Sequence, residues 1–181
     1  MSELRDYQNS SAIREVIGCL LKDPTLLINH KITKEDFVEA FHKLLFVTIN
    51  NLFVQGVSKI DAVVIEEAIK RDYSSLYNIY TKNNGNYYVT ANQKTAILAN
   101  FEANYNEMKK FTALRGLRNQ GIEVDDLFDP SEPDPEVADK KRALLNKMSV
   151  EDVISHYRQK VLSVAVNFSY KSGRESLKAG G

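Results

Sequence analysis

Apolar residues recur at helical spacing along most of this chain, and this periodicity limits its fold more than any other feature. We expect Ser10 or Ser11 to cap the first helix. Its stripe follows the i, i+3, i+4, i+7, i+8 spacing of one helix face and consists of Ile13, Val16, Ile17, Leu20 and Leu21.

Further stripes of the same kind follow. One starts at Phe37, with Thr33 before it as a predicted N-cap and Gly56 after it as a predicted stop. Asp61 is placed to cap another short helix. Together these stripes predict a compact helical globule over residues 1–94.

The segment from Tyr73 to Asn92 departs from this pattern because it is rich in Tyr, Asn and Ser. The sequence N-N-G-N at 83–86 is a strong turn signal. Residues 87–89 could form a short strand, but one strand cannot define a sheet. We therefore predict a loop here, with a single helical turn near residues 75–80.

Two longer helical stretches come next, the first from about Thr95 to Gly121 and the second from Ser149 to Phe168. Between them, residues 123–139 hold eight acids, no base and three prolines, a composition that predicts a loop over 122–139. The result is an antiparallel helical hairpin over 95–168. The second helix carries on one face the apolar residues Val150, Val153, Ile154, Tyr157, Val161, Val164, Ala165 and Phe168.

The predicted fold class is therefore all-α, a compact helical globule followed by a long antiparallel hairpin. Residues 169–181 have no apolar periodicity and end on Ala-Gly-Gly. We expect them to be a flexible linker toward a further domain that this chain lacks, with a disordered terminus as the alternative.

Bulk composition narrows the function. Lys plus Arg number 24 and Asp plus Glu number 24, so the net charge is zero, which argues against a dedicated nucleic-acid binder. The lone cysteine, Cys19, excludes an intramolecular disulfide and fits a reducing compartment. No stretch approaches the ~20 apolar residues of a membrane span, and the polar N-terminus is unlike a signal peptide. We expect a cytoplasmic protein.

Residues able to carry out chemistry are scattered. The three histidines, His30, His42 and His156, lack the spacing of metal ligands, and we expect His42 and His156 to be solvated. Cys19 adjoins an apolar helix face, which favours buried packing over a nucleophile.

Neither the carboxylate pairs nor a search for phosphate-binding motifs identifies an active site. The pairs Glu66-Glu67 and Asp125-Asp126 are predicted to be solvated surface. No glycine-rich phosphate-binding loop or dinucleotide fingerprint occurs. The sequence thus predicts no catalytic residue, no metal site and no bound cofactor.

A helical hairpin packed only on itself leaves apolar surface uncovered, because two helices enclose little volume. We therefore predict that it self-associates through a second apolar strip. Which hairpin face points inward is open, so some strip members are expected to be intramolecular. The candidates are Phe111, Leu114, Leu117 and Leu162.

Five short motifs stand in order along the chain: S-A-I-R-E-V-I-G-C-L-L-K-D-P at 11–24, K-E-D-F at 34–37, F-H-K-L-L-F at 41–46, Q-G with K-I-D within 55–61, and Gly85 with Tyr88. In this order they resemble the N-terminal domain of the DnaB-family replicative DNA helicases. The resemblance covers roughly residues 11–168. The Asn-rich stretch before the hairpin and the long acidic loop depart from the family pattern, as expected of a divergent, phage-type member.

The resemblance implies a non-catalytic domain that pairs through its hairpin and builds a collar, a trimer of dimers, above a hexameric ring of motors. It implies primase and a helicase loader as possible partners. The zero net charge predicts weak or no direct DNA binding by this domain, and the lack of a long apolar stretch predicts no membrane association. ATP and Mg are implied only for the motor domain, which is absent here.

Two rival interpretations remain. The chain could be a free-standing adaptor or inhibitor that mimics the helicase collar. It could also be a helical DNA-binding regulator, for which the basic excess after Lys140 is the best support.

Overall fold

The computed structural model describes residues 3–162, and every regular element in that range is helical. This confirms the all-α fold class. Short 3-10 turns occur at Leu4–Asp6, Lys34–Asp36, Ser74–Leu76 and Leu98–Asn100. The α-helices are α1 (Ser10–Lys22), α2 (Leu26–Asn29), α3 (Ala40–Val54), α4 (Ala62–Asp72), α5 (Tyr77–Lys82), α6 (Gly85–Thr95), α7 (Phe101–Asn119), α8 (Pro135–Lys147) and α9, which is helical over 150–162.

The chain divides into two compact units, Met1–Arg115 and Gly116–Gly181. The boundary falls within α7, which continues as one helix through Gly116. The division after residue 94 and the antiparallel hairpin remain predictions. The predicted end of the last helix at Phe168 and the tail 169–181 lie outside the described residues. None of the helices within 3–162 is both long and apolar enough to cross a membrane.

Helix α1 lies at the centre of the first unit, and all five apolar residues of its predicted stripe are buried. Its cap is Asn9, whose side chain accepts a hydrogen bond from the Ala12 amide at 3.1 Å, one residue before the predicted serines. Gly18 brings α1 into close contact with α6, since a Cβ at this position would stand 2.6 Å from the carbonyl oxygen of Asn92 and 2.7 Å from Cβ of Ala96.

Helix α3 begins three residues later than its apolar stripe. Thr33, the predicted N-cap, forms a capping box with Asp36, but this box closes only a 3-10 turn. Phe37 is then extended and buried, with its ring stacked on Phe46. At the other end Gly56 takes the positive φ of 86° expected of a helix stop. Asp61 caps α4 as predicted, accepting from the Val64 amide at 3.0 Å.

The helical turn predicted near residues 75–80 is present, but the loop predicted over the rest of Tyr73–Asn92 is wrong, because this segment forms α5 and α6. The turn predicted from the sequence N-N-G-N is present, but it spans only Asn83 and Asn84, which separate the two helices. Asn84 takes the left-handed φ of 50°. Burial of Tyr80 and Val89 against the α1 and α3 core stabilises the helices. Tertiary packing therefore overrides weak local propensity here.

In the second unit the predicted loop 122–139 is too long, because α8 starts at Pro135. Asp134 caps α8 by accepting from the Glu136 amide at 2.9 Å, and proline is well suited to the first helical position. Asp134, Pro135 and Glu136, which in the sequence predict a loop, therefore form the start of α8. The buried apolar residues of this unit include Val124, Leu127, Leu145, Val153 and Tyr157.

Candidate functional site

The four predicted interface residues fall into two groups. Phe111 and Leu114 are buried within the chain, so they are intramolecular, as was expected for some of the four. Leu117 is half-buried, and Leu162 is 55% exposed. Leu162 is therefore the candidate that offers most surface, and self-association stays a prediction.

Helix α9 carries an exposed apolar surface around Leu162. Val153 and Tyr157 are its buried face, whereas Ile154 is 37% and Val161 48% exposed. Ile154 precedes Val161 by seven residues and Leu162 by eight, so with 3.6 residues per turn the three share one side of the helix. We call Ile154, Val161 and Leu162 the outer stripe.

The sequence places Ile154 and Val161 on one helix face with Val153 and Tyr157 and leaves open which hairpin face points inward. The structure buries Val153 and Tyr157 and leaves the other two more than a third exposed. The eight apolar residues predicted for this face span about 120° of the helix circumference, an ordinary width for a core-facing stripe, so their spacing alone did not separate the buried side from the exposed one. Leu144 on α8 is likewise half exposed.

Asp126 fixes α9 to the acidic loop and so sets the direction of the outer stripe. Its Oδ1 accepts from the Tyr157 hydroxyl at 2.6 Å. Its Oδ2 lies 2.7 Å from Nε2 of His156 and 2.8 Å from Nζ of Lys160. Burial raises the pKa of Asp126, but these hydrogen bonds outweigh it and hold that pKa well below its ordinary value. Asp126 is exposed, as predicted, with 41% of its side chain accessible to solvent, whereas His156 is partly covered, with 32% of its side chain accessible, and was not expected to pair with Asp126.

A buried polar cluster holds α7 against the N-terminal part of the first unit. Asp36 is 1% exposed and accepts from Nζ of Lys109 and the Thr112 hydroxyl, each at 2.8 Å. Arg115, also buried, donates to the carbonyl oxygen of Tyr7 at 2.6 Å. The buried polar groups of this cluster are hydrogen-bonded to one another and to the backbone, so we assign the cluster a structural role.

Cys19 is buried, as predicted, with its Sγ 3.5 Å from the carbonyl oxygen of Ile97. Burial, with a contribution from Glu15, raises the pKa of this thiol to about 11. A protonated, enclosed thiol is a poor nucleophile. Within the described residues, no group of three or more His, Cys, Asp or Glu side chains is arranged to hold a metal ion.

His42 is half-buried in an aromatic group with Phe41 and Tyr88, so its predicted solvation was wrong. Its Nε2 lies 3.3 Å from the Tyr88 hydroxyl, and its Nδ1 is buried without a hydrogen-bond partner among residues 3–162. Burial lowers the pKa of His42 below 6.5, Glu39 opposes this shift, and Arg14 adds to it.

We expect His42 to make the first unit acid-sensitive. The unfolded chain binds a proton at this residue near pH 6.5, whereas the folded chain resists protonation until lower pH. The free energy of unfolding should therefore fall as the pH drops from about 7 to about 5. Urea titrations across this range should show a shallower pH slope for His42→Phe than for the wild type. Equal slopes in the two proteins would contradict this role.

Comparison with known proteins gives two findings. A model of the family described as DnaB-like helicase N terminal domain matches residues 5–110. An SPbeta prophage-derived uncharacterized protein of Bacillus subtilis (strain 168), YorI, is 33% identical over 176 residues. The alignment covers 96% of this chain and 35% of that relative, so the chain spans about a third of the relative's length.

Proposed function

The chain belongs to the family of DnaB-like helicase N-terminal domains, and from this premise we propose that it is the oligomerisation and partner-docking collar of a hexameric replicative helicase. Domains of this family are non-catalytic, and their role is helicase-associated. In the proposed assembly the chain organises the ring and receives primase or a helicase loader during DNA replication.

The relation to a longer protein supports this proposal. The prophage-derived relative extends well beyond the length that the chain covers, which leaves room for a separate motor domain. We assign ATP and Mg binding, ATP hydrolysis and strand translocation to such a domain in the parent protein. The prophage origin of the relative also fits the divergent, phage-type membership predicted from the Asn-rich segment and the acidic loop.

The observation that carries the self-association part is the outer stripe. Three apolar side chains on one side of α9 are each more than a third exposed. Burying a Leu or Val side chain is worth ~1.5–3 kcal/mol, and a two-fold interface counts each contact twice. We propose that the outer stripe packs against a second copy of the chain.

Val161→Asp and Leu162→Asp, made singly, should convert an oligomer at tens of micromolar into a monomer. A buried carboxylate without a partner is strongly disfavoured, and the symmetry of the interface doubles its effect. Light scattering coupled to gel filtration measures the mass, and circular dichroism checks that helix content is retained.

Gln159→Asp is the matched control for Val161→Asp, because Gln159 precedes Val161 by two residues and is turned about 160° from it around α9. It adds the same charge and should leave the oligomer intact. A wild-type monomer, or stripe variants that lose helix content instead of dissociating, would show that the outer stripe is not a self-association surface.

A further inference from the structure

A cavity of about 250 Å³ opens on the first unit where α4, α5 and the start of α6 meet. Its lining includes the rings of Tyr77, Tyr80 and Tyr87. Tyr80 is buried and lies so close to Gly85 that a Cβ there would overlap its ring. Tyr87 is 77% exposed. The cavity therefore has a closed aromatic side and an aromatic ring that solvent can reach.

Glu66 supplies the charge of this lining. Its Oε1 accepts from the Tyr77 hydroxyl at 2.8 Å and from Nζ of Lys70 at 3.1 Å, and its Oε2 accepts from Nδ2 of Asn86. Hydrogen bonds from Asn86, Lys70 and Tyr77 lower the pKa of Glu66, so it is ionised at neutral pH. A carboxylate has about four acceptor positions, so one position on Oε2 remains for a further donor.

The position of Lys70 shows that the surface formed by Glu66 and Tyr77 binds a cationic group. Its ammonium stands 5.1 Å from the ring centroid of Tyr77 while it pairs with Glu66. A cation is thus held between an aromatic face and a carboxylate, an arrangement that favours positive charge. Lys70 is not part of the cavity lining, and its side chain is 55% exposed, so it can move aside.

We propose that this cavity, the tyrosine pocket, receives the guanidinium group of an arginine side chain from a partner polypeptide. Its volume is below the roughly 300–1,000 Å³ of sites for drug-sized ligands, so it suits one side chain better than a complete cofactor. Arginine fits better than lysine because its planar fork stacks on aromatic rings and donates several N–H groups. An exposed tyrosine such as Tyr87 is also common at protein interfaces.

The tyrosine pocket is independent of the outer stripe. The pocket is built entirely from residues of the first unit, whereas the stripe belongs to the second. Failure of one proposal therefore leaves the other standing, and their experiments use different variants and different measurements.

The test is titration of the full chain with the capped tripeptide Gly-Arg-Gly, followed by NMR shifts of its amides. We expect saturable millimolar binding that shifts Tyr77, Asn86 and Tyr87. Glu66→Gln and Tyr87→Ala should each weaken binding, the first by about tenfold or more, since hydrogen bonds to charged groups are the strong ones. Lys70→Ala should tighten binding, because it removes the competing internal cation.

Two controls decide the chemistry. Glu67→Gln makes the same charge change at the next residue of α4, which is exposed, and should leave binding unchanged. A peptide with citrulline in place of arginine keeps the shape, loses the charge and should not bind. Equal binding of the two peptides, equal effects of Glu66→Gln and Glu67→Gln, or preference for an acidic Gly-Asp-Gly peptide would each overturn the proposal. Free arginine binding as tightly as the peptide would overturn the assignment to a polypeptide.

Discussion

Asp36→Ala should destabilise the first unit by about 3 kcal/mol, the lower end of the range for removing one partner of a buried ion pair. The substitution leaves Nζ of Lys109 and the Thr112 hydroxyl without the oxygens that they contact at 2.8 Å. It also removes the acceptor of the Thr33 amide. Lys109 retains some access to solvent, which is why the lower end of the range applies.

Urea unfolding followed by circular dichroism measures this loss as a lower midpoint at unchanged slope. Asp72→Ala is the control, because Asp72 is an exposed acid of the same unit whose contact is a surface pair with Arg71, and it should unfold close to the wild type. Asp36→Asn should fall in between, since the amide oxygen still accepts from Thr112. If Asp36→Ala unfolds like Asp72→Ala, the cluster does not hold α7.

Gly18→Ala and Gly116→Ala should change stability in opposite directions. At Gly18 the new methyl group meets the Asn92 carbonyl oxygen at 2.6 Å, so α1 and α6 must separate, and overpacking of this kind costs about 1–3 kcal/mol. Gly116 also lies within a helix, but a Cβ there meets nothing within 4 Å. Alanine should therefore stabilise α7 by up to about 1 kcal/mol through helix propensity.

The pair is informative because the chemical change is identical and only the surroundings differ. Thermal or urea midpoints of the two variants and the wild type give the comparison directly. A Gly18→Ala protein as stable as Gly116→Ala would mean that α1 and α6 do not approach as closely as the structure shows.

Local chemistry in the sequence was enough to predict part of this fold. The α1 stripe, the Asp61 cap and the Gly56 stop depend on residues within a few positions of each other, and all three are present. The segment Tyr73–Asn92 was missed because its helices are stabilised by burying tyrosines against distant elements. No short window of sequence contains that information.

The candidate sites show the same limit. His42 lies on a polar flank of its own helix, but Tyr88 of α6, 46 residues later in the chain, packs against its ring. The tyrosine pocket joins Glu66 to Asn86, twenty positions later in the chain. For the outer stripe the sequence provided the apolar residues of α9 but not the side that its neighbours cover. Periodicity identifies a face, and tertiary packing decides whether that face is exposed.

The burial of Cys19 gives this chain a built-in reporter of its own motions. A thiol reagent can reach Sγ only when α1 transiently separates from its neighbours, since the side chain is fully enclosed in the first unit. The chain has one cysteine, so each labelled molecule records an opening event at one known place. Labelling rates under native conditions would then report the local free energy of opening around α1 without an introduced probe.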